Sequence, residues 1–165
     1  MTTPIHQSLQ ASTPGHLRPF NAQSDLKPVA DLVELCFAET LDHDGRLVIR
    51  RMRAAAKRKG VLGWATVKAE WADMMLSGYV WEQNSQIVGN ISLIPYHTKG
   101  KRIFLIANVA VHPDHRRRGI ARKLTVEGIN HAQKLGVHRT WLHVREENMV
   151  ALDLYQSLGY SERTR

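Results

Sequence analysis

Between Val109 and Leu124 the chain reads VAVHPDHRRRGIARKL: an apolar run, a basic turn, a glycine, then helix-forming residues. A junction of this kind suits an anion. The first backbone N–H groups of a helix lack partners within it and carry the positive end of its dipole, so a phosphate placed there collects several hydrogen bonds at once. Gly119 lets the main chain approach closely, and Ala121 puts only a methyl group in the way. Arg116, Arg117, Arg118, Arg122 and Lys123 surround the same spot with positive charge. Cations at a helix start oppose the dipole, so a bound anion accounts for their concentration better than a plain basic surface helix does. Two phosphates would be well served. The segment is neither a Gly-x-x-x-x-Gly-Lys-Ser/Thr loop nor a Gly-x-Gly-x-x-Gly fingerprint.

Other chemistry-bearing residue types narrow the field by what they lack. The single cysteine, Cys36, excludes an internal disulfide framework and a cysteine-based zinc finger, and makes a reduced, cytoplasmic setting the expectation. It falls in an apolar helical stripe, which reads as core. His112 and His115 stand three apart in a loop without a third ligand, so no metal site is expected. No apolar run reaches the ~18 residues of a bilayer span, and the first 15 residues fit no signal or transit peptide. The formal charge of +8 attracts polyanions in general. Its other concentration, Arg46 to Lys59, reads as a solvated helix face, and the absence of interleaved aromatics argues against nucleic acid as the partner.

At 165 residues the chain has room for one domain with its own core. Residues 1–16 carry little periodic signal and read as a flexible lead-in, leaving 17–165 as the domain. Leu17–Asn21 predicts a strand. Ser24 or Asp25 then caps a helix whose buried stripe is Val29, Leu32, Val33, Leu35 and Cys36. Further helices are expected over Leu47–Lys59 and Trp64–Met75. Beyond Gly78 the texture turns to strands, at Tyr79–Glu82, Gln86–Tyr96 and Arg102–Val111, as an antiparallel meander. A loop over His112–Arg118, a helix over Gly119–Leu135, a strand at Thr140–Val144 and a helix over Asn148–Ser157 complete a single α/β sheet domain.

Two ordered motifs give the chain a family likeness. Arg116-Arg117-Arg118-Gly119-Ile120-Ala121 resembles the Gln/Arg-x-x-Gly-x-Gly/Ala loop of the GNAT (GCN5-related) N-acetyltransferases, and Val109, Ala110, Val111 and Pro113 stand where that family ends an apolar strand. Downstream, NMVALDLYQSLGY, Asn148 to Tyr160, resembles the family's second signature, Asn-x-x-Ala-x-x-Leu-Tyr-x-x-x-Gly-Phe/Tyr. The C-terminal half is most similar to the ribosomal-protein alanine N-acetyltransferases. The resemblance implies an α/β (α+β) fold with a mixed, mostly antiparallel sheet flanked by helices. Only Ser161 to Arg165 follow Tyr160, so the family's closing C-terminal strands are expected to be short or absent, and a second copy is expected to complete the sheet edge as a homodimer.

By the same resemblance, the backbone of Arg116, Arg117, Arg118, Gly119, Ile120 and Ala121, with Arg122, would hold the pyrophosphate of acetyl-coenzyme A. Asn108, Val109, Ala110 and Val111 would bond the pantetheine arm between diverging strands. Asn148 would reach the arm or the thioester, and Tyr155 the sulfur. The activity implied is transfer of an acetyl group to a primary amine, of a small molecule or a peptide, by direct attack. Tyr155 suits the donor to the departing thiolate. His143, interrupting the apolar run Trp141-Leu142-His143-Val144, is the candidate base where the related branch carries a glutamate, and a structural role for it stands equally open. The altered base position also motivates an alternative, a noncatalytic acyl-coenzyme A sensor.

Overall fold

The computed structural model describes residues 14–58, 77–98 and 100–163. In chain order the elements are β1 (His16–Pro19), α1 (Ala22–Phe37), α2 (His43–Ala56), β2 (Gly78–Gln83), β3 (Gln86–Thr98), β4 (Lys101–Val111), α3 (Ile120–Lys134), β5 (Thr140–Leu142) and α4 (Met149–Ser157). The expected lead-in and the helix over Trp64–Met75 fall largely or wholly outside the described residues. One five-stranded sheet runs in the order β1-β2-β3-β4-β5, antiparallel as far as β4, with β5 parallel to β4.

Side chains alternate between the faces of a strand, so a sheet with apolar residues at both parities must be covered twice. On one face Val80 and Ala110 meet Leu26, Val29, Ala30, Leu32 and Val33 of α1, with Ile49, Met52 and Ala55 of α2 behind them. On the other, Ile91, Leu93, Phe104 and Ile106 meet Ile120, Leu124 and Ala132 of α3. The seat of α3 depends on Gly89. A Cβ there would come within 2.8 Å of Ile120 Cγ2 and 3.1 Å of Leu124 Cδ1, so a side chain in β3 would lift the first turn of α3 off the sheet.

Several boundaries differ from the sequence expectation for identifiable reasons. Helix α1 is capped by Asn21, whose side chain accepts from the Gln23 N–H at 3.0 Å, and not by Ser24 or Asp25. Asp25 is occupied: fully buried, it accepts from Arg18 at 2.6 and 3.1 Å, from the Asn21 N–H at 2.7 Å and from the Ser24 hydroxyl at 2.8 Å. Because Asn21 serves as the cap, β1 ends at Pro19. Asp42, accepting from the Gly45 N–H, starts α2 four residues before Leu47. Leu35, expected in the buried stripe, is 53% exposed. Within the basic run of α2, Arg53 bonds Asp31 and Glu34 of α1, which neutralises part of that charge inside the fold.

Candidate active site

The turn before α3 is built to leave main-chain amides uncommitted. After a 3-10 turn at Pro113–His115, Arg117 (φ +63°) and Gly119 (φ +75°) both enter the left-handed region, the second of them as the residue preceding the helix. Side chains cap the other helices among the described residues: Asn21 for α1, Asp42 for α2 and Asn148 for α4. Helix α3 has no side-chain cap and no acidic residue in its first turn. Its positive end therefore lacks the usual protein-supplied acceptor. A Cβ on Gly119 would meet nothing within 4 Å, so the glycine answers to backbone conformation, and the space beside it is open. A diphosphate oxygen fits that cradle chemically and sterically.

The basic side chains around the turn are exposed, and several fold back onto it. Arg116 Nε donates to the Val111 carbonyl at 3.0 Å and an Arg118 terminal nitrogen to the Asp114 carbonyl at 3.0 Å. Arg122 reaches the Ser157 hydroxyl of α4 at 2.5 Å, and Lys123 lies 4.9 Å from the centre of the Trp81 ring. These contacts brace the loop; the Arg116 N–H is itself engaged, donating to the Pro113 carbonyl at 3.2 Å, so the uncommitted amides are those that follow it.

Next to the turn, β4 parts from β5. The two strands pair only at Phe104–Ile106 with Thr140–Leu142, although β4 continues to Val111. The parting coincides with a β-bulge: on β4 Asn108 and Val109 together oppose the single residue Ile91 of β3, and Asn108 takes φ +51°. From the bulge to Val111, the edge of β4 that faced β5 has no β5 partner, which leaves a slot where an extended chain of amides can pair as a strand would. Part of this backbone is already engaged. The Val111 carbonyl accepts from both Arg116 and the Cys36 thiol (3.3 Å), and the Asn108 carbonyl accepts from the Asn90 side chain at 3.0 Å.

Beneath the bulge lies a polar group that sequence reading missed. Asn90 (1% exposed) and Ser92 (6%) sit in the middle of β3, with the Asn90 and Asn108 amides each 3.4 Å from the Ser92 hydroxyl. Its signal was available as two polar residues at strand spacing inside an apolar run. At the far end of the slot Arg145 donates to the Thr40 carbonyl at 2.7 Å, joining the β5–α4 connection to the α1–α2 turn.

Tyr155 and His143 are placed differently. Tyr155 is buried in α4 with its ring edge-on to Tyr160 at 5.8 Å, and among the described residues its hydroxyl has no hydrogen-bond partner. Burial, then the neighbouring Tyr160 phenol, pushes its pKa up to about 12. Tyr160 is tied to Thr140 at 2.6 Å, which fixes the wall behind Tyr155. His143 is exposed, because β5 stops at Leu142 and leaves it in the connection to α4. Asn148 uses its side-chain oxygen to cap α4, accepting from the Ala151 N–H at 3.2 Å, so its amide N–H is what it can offer a ligand.

Comparison with known proteins agrees with this fold. The chain is 46% identical over 57 residues to the [ribosomal protein bS18]-alanine N-acetyltransferase of Escherichia coli K12, across 34% of this chain and 38% of that protein. It is 35% identical over 89 residues to the L-amino acid N-acyltransferase MnaT of the same organism, across 52% of each. The chain thus aligns with about four-tenths to half of the length of these curated relatives. Its fold superimposes on a GCN5-related N-acetyltransferase from Ralstonia eutropha JMP134 with a TM-score of 0.68 at 21% identity, covering 92% of this chain and 95% of the other. The family model for acetyltransferases of the GNAT type matches residues 29–160, which take in the bulged strand, the amide turn and both helices of the site, and the chain belongs to that family.

Proposed function

We propose that the chain transfers the acetyl group of acetyl-coenzyme A to a primary amine, of a small molecule or of a peptide. The observation that carries this reading is the uncapped start of α3, with its open left-handed Gly119, lying beside the unpaired edge of β4. An anion site next to a strand-like slot fits a molecule that joins a diphosphate to an extended amide-bearing arm. The backbone of Arg117 to Ala121 takes the diphosphate, with Arg122 at its side; the Arg116 N–H, expected to join them, is engaged by the Pro113 carbonyl. Of Asn108 to Val111, the groups not already engaged pair with the arm, and the Asn148 amide donates near its end.

The chemistry then needs a neutral amine at the thioester carbon and a donor at the sulfur. The amine forms the new C–N bond, the C–S bond breaks, and the proton lost by nitrogen passes to His143 directly or through water. Tyr155 donates a hydrogen bond to the departing sulfur. With a pKa of about 12 its phenol stays protonated and acts as a fixed donor, stabilising the thiolate more than it surrenders its proton. No step requires an acetylated side chain: the amine attacks the thioester directly. The curated relatives act on amino groups of amino acids or of a ribosomal protein, which supports an α-amino acceptor.

The test is thiol release from acetyl-coenzyme A across amino acids, peptides with free N-termini, polyamines and aminoglycosides, with products identified by mass. Amine-dependent release that falls in His143→Ala and Tyr155→Phe is expected. Saturable binding with no release for any amine would favour a noncatalytic acyl-coenzyme A sensor. We also propose self-association: among the described residues β5 is an edge strand, it carries the 39%-exposed Trp141, and it supports pairing with a second copy.

A further inference from the structure

A buried asparagine in the middle of a strand requires a reason, since its amide must find partners to offset the loss of water. Asn90 sits on β3 between Val80 of β2 and Ala110 of β4, its pairing partners, which belong to the core on the face covered by α1. Its amide donates to the Asn108 carbonyl at 3.0 Å and lies 3.4 Å from the Ser92 hydroxyl, which the Asn108 amide also approaches. The bulge takes Asn108 and Val109 out of one-to-one register with β3, and Asn90 supplies a donor to the carbonyl at that point.

The consequence follows from peptide geometry. The Asn108–Val109 peptide is trans, so the carbonyl of Asn108 and the N–H of Val109 point in opposite directions from one rigid plane. Holding that carbonyl toward β3 turns the Val109 N–H the other way, toward the slot that opens beyond Ile106 and Leu142. We infer that Asn90 is a positioning residue for acyl transfer: its amide locks the bulge so that the Val109 N–H is aimed at the acyl end of the bound thioester. This rests on the function proposed above. Asn108, at φ +51°, is held in a conformation that a non-glycine residue adopts at a cost, and the three-residue polar cluster stabilises it.

The experiment compares wild type with Asn90→Leu, which replaces the polar group by an apolar one of similar size, and with Asn90→Ser, which retains polarity but cannot span to the carbonyl. Calorimetry measures binding of acetyl-coenzyme A and of adenosine 3′-phosphate 5′-diphosphate, the half of the coenzyme that lacks the arm. Steady-state kinetics with a responsive amine separate kcat from KM. Variants that keep a cooperative melting transition should bind the nucleotide half within about twofold of wild type, bind acetyl-coenzyme A about tenfold more weakly, and lose roughly 10–100-fold in kcat, less than outright loss of an oxyanion donor. If nucleotide binding and acetyl-coenzyme A binding both stay within twofold of wild type, or fall together, the inference is overturned. Should wild type bind the thioester yet acetylate no amine, the proposed activity fails, and the two affinities still decide the role of Asn90. If Asn90→Leu does not fold, Asn90→Ser decides by the same comparison.

Discussion

At the scale of single residues, the phenol of Tyr155 combines burial, a raised pKa and a hydroxyl without a protein partner among the described residues. Tyr155→Phe should leave acetyl-coenzyme A affinity within about threefold and lower kcat by roughly 10²-fold, the low end of the range for losing one fixed hydrogen-bond donor to developing negative charge. The same substitution has a signature in stability. The folded state holds the Tyr155 pKa at about 12 against an ordinary 10.0, so it favours the neutral phenol. That contribution, about 2–3 kcal/mol, is fully present below pH ~10 and is lost as pH rises through ~12. Denaturant unfolding followed across this range should show a steeper alkaline loss in wild type than in Tyr155→Phe, and equal slopes would contradict it. The role proposed for Tyr155 came only from its Leu-Tyr-x-x-x-Gly-Tyr setting; its surroundings were not legible, since Tyr160 and Thr140 are brought together there by tertiary packing. His143 was read as a strand residue, yet it lies just past β5, because the parallel pairing with β4 ends at Leu142.

At the scale of elements, the helix-ending glycines and the strand meander were legible, and the caps of α1 and α2, which depend on competition for polar groups, were not. Asp25 has the sequence look of a helix cap. Burial would raise its pKa, but the Arg18 guanidinium, the Asn21 amide and the Ser24 hydroxyl together hold it below the ordinary carboxylate value. Arg18 also bonds Glu82 at 2.6 Å, so one side chain ties β1 to α1 and β2. Arg18→Leu strands the Asp25 carboxylate in the core and should cost about 3–5 kcal/mol, measured by urea unfolding at neutral pH. In wild type the stability supplied by Asp25 is present above the unfolded carboxylate pKa and is lost as pH falls through the lower folded value. The variant should therefore lose less on acidification, and a variant as stable as wild type at neutral pH would refute this account of the network. Local pattern could not reveal such a bond, since its partners lie 7 and 64 residues apart.

At the scale of the whole molecule, the charge of +8 is spread over surfaces with different uses. Arg53 is spent on ion pairs between α1 and α2, whereas the arginines before α3 brace the turn that leads into an uncapped helix. The fold was legible because alternating strands and the two motifs fixed the sheet order around the slot. The bulge was not, because it arises from a one-residue mismatch between β3 and β4 that neither strand displays alone. Association is also a property of this scale. Light scattering at micromolar concentration should give twice 18.8 kDa if β5 pairs with a second copy, and a mass of one chain would contradict that proposal.

The central claim is that main-chain amides around Gly119 receive a diphosphate. An amide-resolved NMR titration of the 15N-labelled protein with adenosine 3′-phosphate 5′-diphosphate tests it most directly. The account predicts large, saturable shifts of the Arg117, Gly119, Ile120 and Ala121 N–H signals, with those of the capped first turns of α1 and α2 unmoved. Signals at Gly119 to Ala121 that stay fixed while the nucleotide binds elsewhere, or does not bind, would contradict it.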